Sequence, residues 1–206
     1  MNLPTALTLA RIAMVPIMVG TIYLPETFMR SGVAQATAMV IFVLAALTDW
    51  LDGYLARMLG QTSEFGAFLD PVADKIMMSA SLILLVHMGR LHSLVAVVII
   101  AREISVSALR EWMAAQGRRG VVAVAALGKA KTAMQMTAVP FLLVDVRVEA
   151  VGISSVTIGT VLIWTALLLT IWSMADYLRA AASALRGPIS ATPASKSPAG
   201  MASTGG

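Results

Sequence analysis

The sequence predicts an all-α, polytopic membrane protein built as a bundle of six transmembrane helices. Three observations carry that expectation. Hydrophobic residues make up 58% of the 206 residues and charged residues only 13%, where a soluble domain would carry about a quarter charged; the mean hydropathy is +0.83. Predominantly apolar runs of about 20 residues, the length that crosses a bilayer core, recur six times along the chain. The connectors between them are short and built from glycine and polar residues, as compact bundles prefer.

Taken in order, the first run extends from about Ala6 to Leu24 and carries one internal charge, Arg11. Pro25, Glu26 and Gly32 bound the loop to the second run, about Val33 to Arg57. Gly60-Gln61-Thr62-Ser63 leads to the third, about Gly66 to Met88, and Gly89-Arg90-Leu91 to the fourth, about Ser93 to Ala115. Gly117-Arg118-Arg119-Gly120 precedes the fifth, about Val121 to Val144, which holds Lys129 and Lys131. Asp145 to Glu149 forms the last connector, and the sixth run covers about Gly152 to Leu178. Residues 1–186 are therefore expected to form one six-helix transmembrane domain. Residues 187–206, rich in Pro, Ala, Ser, Thr and Gly, have nothing with which to build a core and are expected to be a disordered tail.

Composition also excludes some classes. Without cysteine there are no disulfides or thiolate metal sites, and two histidines, His87 and His92, do not make a His-rich zinc site. No basic run resembles a nucleic-acid patch, so the net charge of +4 is read as membrane topology and an anionic substrate. The start of the chain lacks the basic region of a cleaved signal peptide, so the first apolar run is expected to be retained. An even number of spans puts both termini on one side. Arg57, Arg118, Arg119, Arg179, Arg186 and Lys196 fall on that side against Arg30, Arg90 and Arg147 on the other, so the termini and the ends of the second and third helices that carry aspartates face the cytoplasm.

Four aspartates stand where membrane helices avoid them. Asp49 and Asp52 close the second run, three residues apart and so on one helix face; Asp70 and Asp74 open the third, four apart and again on one face. A central transmembrane aspartate costs about 2.5–3.5 kcal/mol, so four facing lipid would cost about 10 kcal/mol. They must face a polar interior with positive charge among them. Gly53 and Ala56 leave room beside the first pair, Gly66 lies one turn before the second, and Pro71 is tolerable close to a helix start. A short loop between antiparallel neighbours would bring the two acidic faces together. A single intramembrane aspartate can be a proton relay or the partner of a buried arginine. Four converging carboxylates without histidine or cysteine instead form a hard oxygen site suited to Mg²⁺ or Mn²⁺, a known device for in-line phosphoryl transfer.

From Asp49 to Asp74 the sequence reads D-x2-D-G-x2-A-R-x8-G-x3-D-x3-D. It resembles, without departure, the signature of the CDP-alcohol phosphatidyltransferases, membrane enzymes that move a phosphatidyl or other phosphoalcohol group from a CDP-linked donor to an alcohol. The resemblance implies the six-helix CDP-alcohol phosphotransferase fold and two divalent cations, Mg²⁺ or Mn²⁺, held by Asp49, Asp52, Asp70 and Asp74. It implies a general base at Asp74, and a CDP-binding face formed by Asp49, Asp52, Gly53, Ala56, Arg57, Gly66 and Asp70. It also implies a homodimer in the cytoplasmic (inner) membrane.

A second basic set bears on the acceptor. Arg102 and Arg110 lie eight apart on one face of the fourth helix, while Lys129 and Lys131 on the fifth point about 200° apart, so one of the two reaches the cavity that the other misses. Structurally, such side chains could snorkel to headgroups or pair with acids. As a phosphate-binding set, Arg102, Arg110, Lys129 and Lys131 suit an acceptor that itself carries phosphate. The segments R-E-x6-R-E-W and G-K-x-K-T-x2-Q-M, with Asn2 to Arg11 and Gln61 to Gly66, resemble the phosphatidylglycerophosphate synthase branch of the family. That implies CDP-diacylglycerol and sn-glycerol 3-phosphate as substrates, with phosphatidylglycerophosphate and CMP as products of phospholipid biosynthesis. The alternatives are another acceptor (serine, inositol phosphate or phosphatidylglycerol) and, from a different class, a cation transporter using the aspartates as its ion site.

Overall fold

The computed structural model describes residues 3–59, 64–115, 126–148 and 152–186, with side chains described for all of these except 3, 4, 52–57, 59, 64, 67, 110, 114, 115, 126–129, 148 and 175–186. Six helices make up nearly all of it: α1 (Leu3–Tyr23), α2 (Ser31–Leu59), α3 (Glu64–His87), α4 (Ser93–Ala115), α5 (Ala126–Leu143) and α6 (Ser155–Arg186). The expected runs agree with these bounds to within two or three residues for the first four helices. The expected start of the fifth, 121–125, lies outside the described residues, as do the connectors 60–63 and 117–120 and the tail 187–206.

Two elements differ from expectation. The last connector is partly ordered as an antiparallel pair, β1 (Arg147–Val148) with β2 (Ile153–Ser154), Arg147 opposite Ser154. Ser155 secures it by donating to the Val144 carbonyl (2.8 Å) and accepting from the Val146 N–H (3.1 Å), and Ser154 Oγ accepts from the Val156 N–H as an N-cap. The sixth helix runs on to Arg186 rather than stopping near Leu178. Because α3 starts at Glu64, Pro71 sits in the helix interior rather than close to its start, where it removes one i→i−4 bond. Neighbouring helices can compensate such a loss in a membrane bundle.

Among the described residues three helices are long and apolar enough to cross a membrane by composition alone: Thr5–Tyr23, Ser31–Leu51 and Ser155–Met174. The other three have 24, 23 and 18 residues, and at 1.5 Å per residue they reach about 27–36 Å. Charge rather than length sets α3 and α4 apart, with Asp70, Asp74 and Lys75 on α3 and Arg102, Glu103 and Arg110 on α4.

The core is aliphatic, with Met18, Phe42, Leu82, Leu85, Ile99, Leu142 and Ile163 fully buried, while Ile17, Ile83, Leu94, Trp164, Leu168 and Trp172 point outward. An outward apolar surface of this kind suits contact with lipid. α3 ends where Gly89 takes a positive φ of 69°, and the Arg90 N–H bonds the Leu85 carbonyl. The Arg90 guanidinium then donates to the Leu142 and Leu143 carbonyls (2.8 and 2.6 Å) and to Gln35 Oε1 (2.8 Å), tying the ends of α3, α5 and α2 together. Burial lowers the pKa of Arg90 and the nearby Asp145 charge opposes that shift.

Among the described residues α5 and α6 pack the most extensively, and Gly159 lets them come close. A Cβ at Gly159 would stand 2.7 Å from Leu142 Cγ and 3.0 Å from the Ala138 carbonyl oxygen. Gly159→Ala should therefore push the two helices apart and destabilise the protein by about 1–3 kcal/mol. Thermal unfolding in detergent would read this as a lowered Tm, and an unchanged Tm would mean that the α5–α6 contact yields freely.

Candidate active site

One end of the bundle collects the aspartates, glutamates, lysines and arginines whose side chains are described inside the helices. Alternating helix directions bring there the first half of α1, the last part of α2, the first half of α3, the second half of α4, the first half of α5 and the later part of α6.

Two aspartates from different helices meet on a single nitrogen. Arg11, in the first half of α1, is 1% exposed. Its Nη1 stands 2.7 Å from Asp49 Oδ1 on α2 and 2.9 Å from Asp74 Oδ1 on α3. The two carboxylate oxygens are therefore no farther apart than the sum of those distances. One turn earlier on α1, Thr8 Oγ1 donates to Asp70 Oδ1 at 2.6 Å. Thr8 and Arg11 are three apart, Asp70 and Asp74 four apart, so α1 and α3 face each other through two polar rungs. Among the described residues the acidic faces meet against α1, which packs on both helices more extensively than these pack on each other. The positive charge demanded by the aspartates is, in part, an arginine of the chain itself.

A second polar group lies across α4, α5 and α6. Arg102 and Lys131 are both buried. Glu103 receives both: Arg102 Nη1 at 3.2 Å from its Oε1, and the Lys131 ammonium in direct contact with the same oxygen. Arg102 Nη2 also donates to Ser173 Oγ on α6 at 2.7 Å, and that hydroxyl donates to the Thr170 carbonyl. Two cations against one carboxylate leave this group positive. Three carboxylates against one guanidinium leave the first group negative. Between them lies a cleft of about 170 Å³ whose polar lining is Asp74, Lys75, Glu103, Thr132 and Gln135. Asp74 also lines a cavity of about 10 Å³ beside Arg11 and Asp49, no larger than one water needs. Asp49 and Asp74 keep 36% and 41% of their side chains exposed, so both carboxylates remain accessible.

The profile of the CDP-alcohol phosphatidyltransferase family matches residues 1–172, most of the chain. The chain belongs to this family. Among its relatives are proteins named CDP-diacylglycerol–glycerol-3-phosphate 3-phosphatidyltransferase. One from Shigella flexneri serotype 5b (strain 8401) is 46% identical over 186 residues, covering 87% of this chain and 94% of the relative. One from Escherichia coli (strain K12) is 45% identical over the same extent. CDP-alcohol phosphatidyltransferases are membrane-embedded and generally use divalent metal ions.

The expected site residues fall into three sets. Asp49, Asp70 and Asp74 are brought together around α1; Arg102 and Lys131 are brought together around Glu103; and Gly66 is buried in the first turn of α3. The side chains of Asp52, Gly53, Ala56, Arg57, Arg110 and Lys129 lie outside the described residues. Among the described residues no three acidic or histidine side chains converge closely enough to hold one ion. In this arrangement Arg11 is bonded to two of the carboxylates. Even so, the donor chemistry fits a divalent cation: oxygen ligands only, net negative charge, and two carboxylates already within reach of one atom.

Sequence reasoning gave no site role to Thr8, Arg11, Glu103, Ser173, Thr132 and Gln135, although all but Ser173 stand in the segments that carry the branch resemblance. Arg11 was the most findable, because an ionisable residue inside an apolar run needs a partner in the bundle. Glu103 had the same signal, a carboxylate next to an arginine in the middle of a membrane-length run.

Proposed function

We propose that the protein transfers the phosphatidyl group of CDP-diacylglycerol to sn-glycerol 3-phosphate, giving phosphatidylglycerophosphate and CMP, at the cytoplasmic face of the inner membrane. The observation that carries this reading is a cleft whose two walls bring the acidic and the basic groups together, with the buried Arg102 and Lys131 behind Glu103 rather than in the lining. An aspartate of the family signature, Asp74, stands on one wall, and Glu103 on the other is paired with Arg102 and Lys131. A donor with a pyrophosphate suits the first wall once cations are bound, and an acceptor with its own phosphate suits the second. The names of the relatives agree with that pairing.

Asp49, Asp70, Asp74 and Asp52 would hold two divalent cations, Mg²⁺ or Mn²⁺. When bound, such ions neutralise phosphate oxygens and the charge developing on the leaving group. The remaining work belongs to the chain's side chains. Asp74 accepts the proton of the glycerol C1 hydroxyl, leaving its oxygen free to attack the phosphatidyl phosphorus. The P–O bond to the CMP phosphate breaks, and the electron pair leaves with CMP. Arg11 holds the Asp74 and Asp49 carboxylates in position. Lys131 and Arg102 fix the acceptor phosphate, and that fixing converts a bimolecular encounter into an oriented one. Gly53, Ala56, Arg57 and Gly66 form the nucleotide face, and Arg110 and Lys129 complete the basic set. The acyl chains stay in the bilayer, and the chain works as a homodimer.

CMP release from purified protein, CDP-diacylglycerol and Mg²⁺ or Mn²⁺ tests the reading directly. Release should depend on sn-glycerol 3-phosphate and not on serine, inositol phosphate or phosphatidylglycerol. Release driven by one of these others would reassign the acceptor, and metal flux into liposomes without CMP would make the protein a transporter. Lys131→Met should raise the KM for sn-glycerol 3-phosphate by about 10–100-fold, the worth of a lost charge-assisted bond, with the KM for CDP-diacylglycerol unchanged. A change confined to the donor KM would put Lys131 in the nucleotide half of the cleft.

A further inference from the structure

Gln135 lines the cleft outside both charged groups. It is 2% exposed, and its Nε2 has no hydrogen-bond partner among the described residues. A buried amide donor left unbonded is costly, and native structures keep one where a ligand or water completes it. Gln135 is four residues after Lys131, so the two share a face of α5, about 6 Å apart along the axis. Asp74 lines the same cleft from α3.

We propose that Gln135 is a specificity residue that donates a hydrogen bond to the C2 hydroxyl of the acceptor. This rests on the functional reading above. With the phosphate at Lys131 and the C1 hydroxyl at Asp74, the middle of the three-carbon acceptor falls against the stretch of α5 that presents Gln135. A neutral amide suits that place. It gives a donor to a hydroxyl oxygen without adding charge that would compete for the phosphate or for the Asp74 carboxylate. Met78 and Met136 make up apolar lining of the cleft, so an acceptor lacking the hydroxyl would leave the amide as unbonded as it is now.

The probe is 3-hydroxypropyl phosphate, which keeps the primary hydroxyl and the phosphate and lacks only the C2 hydroxyl. Native protein should prefer sn-glycerol 3-phosphate over it by about 10–100-fold in kcat/KM, the discrimination one hydrogen bond in a built site supplies. In Gln135→Met, of similar volume and unable to donate, that ratio should fall towards one. The fall should come through loss on sn-glycerol 3-phosphate, with the KM for CDP-diacylglycerol unmoved. Gln135→Asn, which keeps the amide on a shorter arm, should lie between. A native protein that uses the two acceptors equally overturns the proposal whatever the variants do, and so does an equal loss on both acceptors in a folded Gln135→Met protein. Native protein that releases no CMP with sn-glycerol 3-phosphate would instead overturn the functional reading.

Discussion

Asp74→Asn protein should insert, fold and bind donor, yet release CMP at least about a hundredfold more slowly than the native chain. Asparagine keeps the size of the side chain and an oxygen that can accept from Arg11, whose Nη1 now lies 2.9 Å from Asp74 Oδ1. What it loses is the capacity to take a proton and the negative charge. Asp74 lines both the cleft and the small cavity next to Asp49, so it is placed to touch the acceptor hydroxyl and the donor's charged end together. Single-turnover CMP release, with donor binding and thermal unfolding measured in parallel, separates lost chemistry from lost structure. Turnover close to native in folded Asp74→Asn protein would remove the general-base role.

The second large effect concerns stability. Arg11→Met removes the guanidinium that Asp49 and Asp74 share and leaves two carboxylates facing each other. Breaking one side of a buried, charge-assisted arrangement typically costs 3–5 kcal/mol. Both carboxylates here are more than a third exposed, so screening reduces the expected loss to about 2–4 kcal/mol. Arg11→Lys, which keeps a cation with several donors, should lose less. Removing one of the facing charges should restore part of the stability, so Arg11→Met combined with Asp49→Asn should be more stable than Arg11→Met alone. Thermal unfolding of the native protein, Arg11→Met, Asp49→Asn and the double variant in one detergent measures the cycle. If the double variant were no more stable than the single, like-charge repulsion would not be the reason for Arg11.

These two residues show where sequence reasoning reached and where it stopped. Asp74 was legible because its signal is local: Asp70 and Asp74 lie four apart, Asp49 and Asp52 three apart, and helical periodicity puts each pair on one face whatever the rest of the fold does. Arg11 was visible as a charge inside an apolar run, but its partners are 38 and 63 residues away in the chain, on α2 and α3. No spacing rule reaches that far. Glu103 is the same case, with its second partner, Lys131, on the next helix. Gln135 stood in the motif G-K-x-K-T-x2-Q-M, but nothing in the sequence separates an exposed amide from one that is buried and unbonded.

The chain by itself determined the six helices, most of their ends and the acidic and basic faces, because apolar run length, glycine punctuation and the 3.6-residue period act over a few turns at most. Only the tertiary structure decided that α1 packs on both α2 and α3, that an arginine stands among the aspartates, that Glu103 bridges the basic pair, and that α5 and α6 close on Gly159. Those choices depend on which helix faces pack together. In a membrane bundle, where every helix is apolar enough to face its neighbours or the lipid, that is settled by shape and by the pairing of a few buried charges rather than by hydrophobicity.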